Sequence, residues 1–381
     1  MAEDRYPCGT PKPTITDAAE DWNLPMIDPL DLAGADTVAD LIDNVYAKSG
    51  YNARRLAEAA QLYTRMIEND ATIGLTIAGA MTPIGMSGVF NALIEAGFVD
   101  FIIATGANLY HDLHRPFGRP MMQGSFQVDD NELAEGGIAR IYDVFIDDED
   151  TLIATDRIIL NAVKRIKHDD PLSTAEFHFA LGCEVINSAE HPEWSFVATA
   201  AKHEVPVYTS SPGDSSIAMN LTVPHLFGSE VKLDPLKDVI ETAAIVRSAK
   251  KNGVVICGGG SPKNFYLQTQ PTLHQIFMDP TPIGHDYVIQ LSVDAPHWGG
   301  LSGATPSEAR SWGKIRDATK NNVVVYSCAS LTLPLLAQYA LSRNKPRTPK
   351  RLMGRRSELV SALRDAAAAN PEFMKIVESH V

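Results

Sequence analysis

A chain of 381 residues, 45% hydrophobic and 21% charged, can bury a substantial core, which excludes a disordered chain and a small scaffold held by staples. Lys plus Arg number 33 against 47 Asp plus Glu; the net charge of −14 argues against nucleic-acid binding and suits cationic small molecules. Cys8, Cys183, Cys257 and Cys328 are scattered without Cys-x-x-Cys spacing, the amino terminus carries no signal pattern, and no apolar run reaches the ~18 residues of a membrane span. We therefore expect a soluble cytoplasmic protein with no membrane association, in which Cys257 and Cys328 are buried thiols.

In chain order, a polar, Pro-containing arm to about Trp22 precedes a helical pattern over 36–69, in which Ala57, Ala60, Leu62, Tyr63 and Met66 recur at three- and four-residue steps. An apolar run at 73–80 reads as a buried strand, 87–96 as a helix, and 101–105 as a second strand ending in Gly106-Ala107-Asn108. Residues 177–181 read as strand-like, and 205–209 as a strand running into Ser210-Ser211-Pro212-Gly213-Asp214. A helix over 234–251 opens with Asp234 as N-cap and Pro235 at its first position. Strands follow at 254–257, 287–293 and 323–326, the first running into Gly258-Gly259-Gly260 and the last into Ser327-Cys328-Ala329-Ser330 and a Leu-rich helix. This alternation predicts an α/β fold, a doubly wound, mainly parallel sheet in a single large domain, with ligands at the carboxyl ends of the strands. The expected organisation is an arm (1–35), the α/β domain (36–340) and a basic extension with a helix (341–381).

Two charge clusters stand out. Asp147-Asp148-Glu149-Asp150 reads as a solvated helix start. The seven basic residues from Arg343 to Arg356, broken by Pro346 and Pro349, read as a surface loop or linker in preference to a polyanion site.

Three groupings could carry chemistry. Gly258-Gly259-Gly260 after a buried strand lets main-chain N–H groups face a dinucleotide, or is simply a tight turn; no G-x-G-x-x-G begins a βαβ unit. Lys314, in Ser311-Trp312-Gly313-Lys314, lies beside an aromatic face that would help to desolvate it and free its amine as a nucleophile; spacing alone favours a lysine on a helix surface. His111 and His114 could share a helix face, but without a further ligand cluster we expect no metal and take His111 as a polar substrate contact. A Ser/His/Asp hydrolase is disfavoured, since no Gly-x-Ser-x-Gly elbow occurs.

Taken together, the segments resemble the deoxyhypusine synthase family. The tract Ser302-Gly303-Ala304, Pro306, Glu308-Ala309 and Ser311-Trp312-Gly313-Lys314-Ile315 is the most specific part, with Gly258-Gly259-Gly260 plus Lys263 in support, over roughly 35–340. The resemblance implies a Rossmann-like domain that binds NAD without the usual fingerprint, in a homotetramer with sites at subunit interfaces. It implies transfer of an aminobutyl group from a polyamine such as spermidine to an acceptor amine, through an imine on the lysine matched by Lys314. By position, Trp312, Glu308, His111 and Asn264 would contact substrate, and Thr82, Thr105, Gly106, Asp214, Gly259, Gly260, Ser302 and Ala329 would hold NAD.

Departures from the family pattern are as informative. Asn264 stands where the family has His, His111 where it has Glu, and Leu301, Met219 and Cys328 where it has Asp. Losing acids that grip a polycation should keep spermidine from binding in the usual way. The pattern is similar to the bacterial deoxyhypusine synthase-like branch and not to enzymes that modify the hypusine-bearing translation factor. Alternatives are homospermidine-type synthesis with a small amine as acceptor, a non-catalytic NAD-binding relative, and a dehydrogenase that stops at the oxidised amine; retention of Lys314, Trp312 and Glu308 weighs against the last two.

Overall fold

Residues 25–166, 170–228, 231–281 and 283–380 are described by a computed structural model. The expected arm to Trp22, and Cys8 with it, lies outside them, and residues 25–34 run exposed without helix or strand.

The apolar runs become strands because both of their faces are covered. β1 (Thr72–Ile77), β2 (Phe101–Ala104), β6 (Val207–Thr209), β7 (Asn252–Cys257), β8 (Tyr287–Leu291) and β9 (Asn322–Val325) form one parallel sheet in the order β6-β2-β1-β7-β8-β9. Along β7, Val255 and Cys257 pack into one core with the helices Tyr51–Glu68, Ser87–Glu95 and Ala329–Arg343, while Val254 and Ile256 pack into another with Pro235–Ser248, Gly260–Pro271 and Leu352–Ala368. The helix Tyr51–Glu68 buries Ala57, Ala60, Leu62, Tyr63 and Met66, the predicted stripe. Gly74 in β1 makes room for the Tyr266 ring, which stacks on Phe101 with centroids 5.6 Å apart.

Strand order places the site. The chain builds leftward from β1 through β2 to β6, then returns to the other side of β1 to lay down β7, β8 and β9. The reversal between β1 and β7 is the switch point of the sheet, where such folds bind ligands, and at their carboxyl ends Ala78 lies against Gly258.

Some expectations are corrected. Residues 177–181 are helical, inside Thr174–Ser188, where Ser173 and Glu176 form a capping box. A second, antiparallel sheet, β3 (Met121–Gln123), β5 (Val144–Asp147) and β4 (Ile138–Ile141), was not foreseen. Cys328 is exposed, whereas Cys257 is buried as expected. Asp147 caps a helical turn over Asp148–Ile153, in keeping with a solvated helix start. Among the described residues no helix is long and apolar enough to cross a membrane.

The basic segment is also not a plain surface loop. The Arg347 side chain is 13% exposed and donates to the carbonyls of Gly97 and Ala71 (2.7 Å) and to Asp100 Oδ2 (2.6 Å). Arg356 pairs with Glu176 (3.0 Å) and Glu241 (3.1 Å), and the helix Leu352–Ala368 packs on Pro235–Ser248. Arg347 thus fastens the chain after Ala329–Arg343 to the amino ends of β1 and β2. Burial pushes the Asp100 carboxyl upward and Arg347 opposes the shift. Replacing Arg347 with Met should strand that carboxylate and destabilise the fold by about 3–5 kcal/mol. The raised carboxyl makes the loss smaller at low pH, where Asp100 takes a proton, than above neutrality. Urea unfolding of both proteins at acid and mildly alkaline pH checks the magnitude and the sign.

Candidate active site

The segment around Lys314 is built by its own local signals. Thr305 caps the short helix Pro306–Ser311, its hydroxyl accepting the Glu308 N–H at 3.2 Å, and Pro306 occupies the first position. Gly313 ends it with φ of +70°, a left-handed turn that favours glycine. Ala309 and Ile315 are buried and anchor the segment, and the Lys314 carbonyl accepts the His285 N–H at 2.9 Å. Glu308 and Trp312 are left exposed and Lys314 half-buried.

Lys314 Nζ donates to Asn264 Oδ1 at 2.9 Å and lies 5.7 Å from the Trp312 ring centre. Burial holds its pKa below the ordinary lysine value, although Glu308 pulls the other way. Asn264 belongs to the helix Gly260–Pro271, which starts directly after β7. Lysine, tryptophan, glutamate and asparagine, 50 residues apart at the extremes, therefore form one group.

A neighbouring lysine completes it. Lys263 is 3% exposed, and its ammonium donates to the carbonyls of Leu301 (3.2 Å), Ser302 (3.5 Å) and Ala304 (2.5 Å). Burial lowers its pKa to about 8, with Glu308 opposing and Lys314 adding to the fall. Gln290, from β8, donates to the same Ser302 carbonyl at 2.8 Å.

The residues expected at the cofactor divide in two. Gly258 and Gly260 take positive φ (+81° and +64°) and turn the chain at the β1/β7 switch point. Gly259 is extended, and a methyl there would lie 2.7 Å from Ser302 Cβ and closer still to Ser302 Cα, so its smallness serves Ser302. Gly106 likewise is bare because Ser215 abuts it. Thr105 donates to the Gly79 carbonyl at 2.7 Å. Thr82 is fully buried, its hydroxyl on the Asn108 carbonyl at 2.9 Å, and supports the loop from beneath. Asp214 is exposed at the end of a loop that Ser211 ties to Ser261 at 3.1 Å. Ala329 is buried at the first turn of the helix after β9.

His111 stands apart from the Lys314 group. Its Nδ1 lies 2.9 Å from His114 Nε2, whose ring in turn meets Thr155 at 2.7 Å. Burial lowers the two pKa values to about 4 and about 3, so both rings are neutral at pH 7. Among the described residues no hydrogen bond or ion pair joins His111 to Lys314, Asn264, Glu308 or Trp312, and no cluster of three or more His, Cys, Asp or Glu could hold a metal.

Sequence reasoning missed Asn108 and Gln290. Asn108 is fully buried and ties Thr105 to the loop after β1: its amide donates to Thr105 Oγ1 (2.8 Å) and Gly79 O (3.0 Å), and its Oδ1 accepts from Met81 N (2.7 Å). An Asn two residues after the strand-end Gly106 was the available signal.

Comparison with known proteins agrees with this architecture. The deoxyhypusine synthase family profile matches residues 40–340. A deoxyhypusine synthase-like protein of Nostoc sp. is 44% identical over 348 residues, covering 89% of this chain and 90% of that one. A "probable deoxyhypusine synthase 2" of Methanosarcina mazei is 40% identical, covering 83% and 89%. A solved structure from Entamoeba histolytica, ascribed to deoxyhypusine synthase, shares the fold with a TM-score of 0.54 at 16% identity, over 84% of this chain and 99% of that one.

The contact between Gly259 and Ser302 can be tested without any ligand. Gly259→Ala should force residues 299–304 outward and lower stability by about 1–3 kcal/mol, with faster amide exchange confined to that loop. Urea unfolding and hydrogen exchange read the two effects.

Proposed function

The chain belongs to the deoxyhypusine synthase family, and from that membership we propose that it is an NAD-dependent transferase moving an aminobutyl or similar alkylamine group to an acceptor amine, with Lys314 as covalent nucleophile. The observation that carries this reading is the half-buried Lys314 amine, its pKa lowered, held on Asn264 Oδ1 beside the Trp312 face.

The carboxyl edge fits a dinucleotide. A side chain at Gly79 would meet nothing within 4 Å, and buried hydroxyls of Thr209 and Ser210 at the end of β6 have no partner. Thr105, Gly106, Asp214, Gly259, Gly260, Ser302 and Ala329 surround this edge and would hold NAD, with Thr82 and Asn108 setting the loop. Bound there, NAD supplies the hydride acceptor that oxidises the donor amine and the hydride that reduces the final imine.

The protein's own steps follow from the Lys314 group. Asn264 accepts one N–H of the neutral lysine amine, leaving its lone pair for attack on the oxidised carbon. A C–N bond forms to Lys314, and the departing amine leaves with a proton. The acceptor amine then attacks the lysine imine, and Lys314 leaves as a free amine. Glu308 is placed to hold a terminal ammonium, and the exposed face of Trp312 to line the alkylamine. His111, neutral and bonded to His114, would be a polar contact from the other side of the switch point.

Exposed Leu301 and Met219, where the family carries acids, favour a small-molecule acceptor, as in homospermidine-type synthesis, over a protein lysine. A homotetramer is part of the same proposal. Met219, Val223, Leu226 and Phe227 all stand exposed along the helix Ser216–Leu226 and its end, an apolar stripe suited to a second copy.

Two measurements test this reading. Lys314→Arg should fold and retain NAD by calorimetry, yet form no borohydride-trapped adduct with any amine of a panel, because guanidinium stays protonated. Most of the activity surviving in that variant would point instead to direct attack of the acceptor on a free imine. Incubation with spermidine, NAD and the hypusine-bearing translation factor should yield little or no deoxyhypusine by mass spectrometry; efficient transfer would show that the lost acids do not govern substrate choice.

A further inference from the structure

One helical turn holds both ends of the segment that carries Lys314. Lys263 grips the carbonyls of Leu301, Ser302 and Ala304, while its neighbour Asn264 receives the Lys314 amine. Between those two attachments lie the capped helix Pro306–Ser311, Glu308 and Trp312. We propose that Lys263 is a positioning residue for Lys314: its ammonium clamps residues 301–304 against Gly259 and so fixes the start of the segment that brings the Lys314 amine to Asn264.

The clamp follows from unsatisfied carbonyls. Loop 299–304 has few backbone bonds of its own; the Gly303 N–H reaches Gly300 O at 3.2 Å, and Ser302 O takes the Gln290 amide at 2.8 Å. A single buried cation answers three of its carbonyls, a role suited to the three donors of an ammonium. Removing it leaves the Leu301 and Ala304 carbonyls without the bonds described here, and the loop free to leave Gly259.

The clamp also matters for the groups that face Lys314. Burial disfavours the charged amine and Glu308, on its own segment, favours it, while the Lys314 charge lowers the pKa of Lys263. Asn264 is neutral, and so is His285, whose N–H donates to the Lys314 carbonyl and whose pKa burial lowers to about 3. Arg316 is paired with Asp286 at 2.5 Å, and exposed Asp294 acts on Lys263. Burial is therefore what offsets Glu308 at Lys314, and the clamp on residues 301–304 maintains it.

This inference rests on Lys314 being the nucleophile, but its test needs neither NAD nor an amine substrate. Competitive labelling of the full chain with acetic anhydride, from about pH 6 to about pH 11, gives the titration midpoint of Lys314 by peptide mass spectrometry. In Lys263→Met the freed loop leaves Lys314 less buried, so that midpoint should rise toward the ordinary lysine value, and amide exchange at 301–304 should quicken about tenfold or more. Lys263→Arg, which keeps a cationic donor for the loop carbonyls, should hold the midpoint near that of the unaltered protein. Should the Met variant not fold, Lys263→Gln replaces it and is read in the same way. An unmoved midpoint in a folded neutral variant overturns the positioning of Lys314, and unchanged exchange at 301–304 overturns the clamp. A failure of amine transfer in the unaltered protein would touch neither readout.

Discussion

A parallel sheet covered by helices on both faces can do chemistry only along its edge of strand carboxyl ends, because every other part of it is core. In this protein the reversal between β1 and β7 fixes where on that edge the loops diverge. What remains is to hold the loops there, and three of them are held by polar ties. Asn108 pins the loop after β1, Ser211 and Ser261 join the loop after β6 to the helix after β7, and Lys263 pins residues 301–304. Loops at such an edge carry main-chain groups that neither helix nor strand satisfies, so side-chain donors at fixed points decide their shape.

The sheet was legible in the sequence wherever burial on both faces wrote a largely apolar run, as in β1, β2, β7 and β8. The same rule misled at 177–181, since a short apolar run looks alike in a buried strand and a buried helix. The deciding signal was Ser173 and Glu176, a capping box just upstream. The antiparallel sheet left almost no trace. Its strands are three or four residues long and largely half-exposed, so neither a run nor a clean alternation forms. Cys328 was misjudged because an apolar strand before it says nothing about the turn on which it sits.

The Lys314 segment was legible because its chemistry is local: cap, proline, core anchors and left-handed glycine all fall within 305–315. Lys263 stood out only as part of a motif, and nothing in the sequence could say that it grips backbone carbonyls 38 to 41 residues away. The small residues were found, but one reason for their smallness was not. Gly259 and Gly106 also leave space for Ser302 and Ser215, so they shape the edge from within the protein. A bare Cα tells of close approach, and only the fold tells what approaches.

Charge at the site then connects catalysis with substrate choice. Lys314 must lose its proton to act, and the group that most resists this is Glu308, the carboxylate on its own segment. Burial opposes Glu308 but does not silence it. In the proposed reaction an ammonium of the substrate seats on Glu308, and its charge cancels the pull that Glu308 exerts on the Lys314 proton. Binding would therefore help to release the nucleophile, with no moving part. The same arithmetic limits the substrate. One carboxylate facing a buried lysine can balance one cationic head group, and a second ammonium nearby would add to the repulsion from Lys263. Exposed Leu301 and Met219, in place of acids, leave that second charge without a partner.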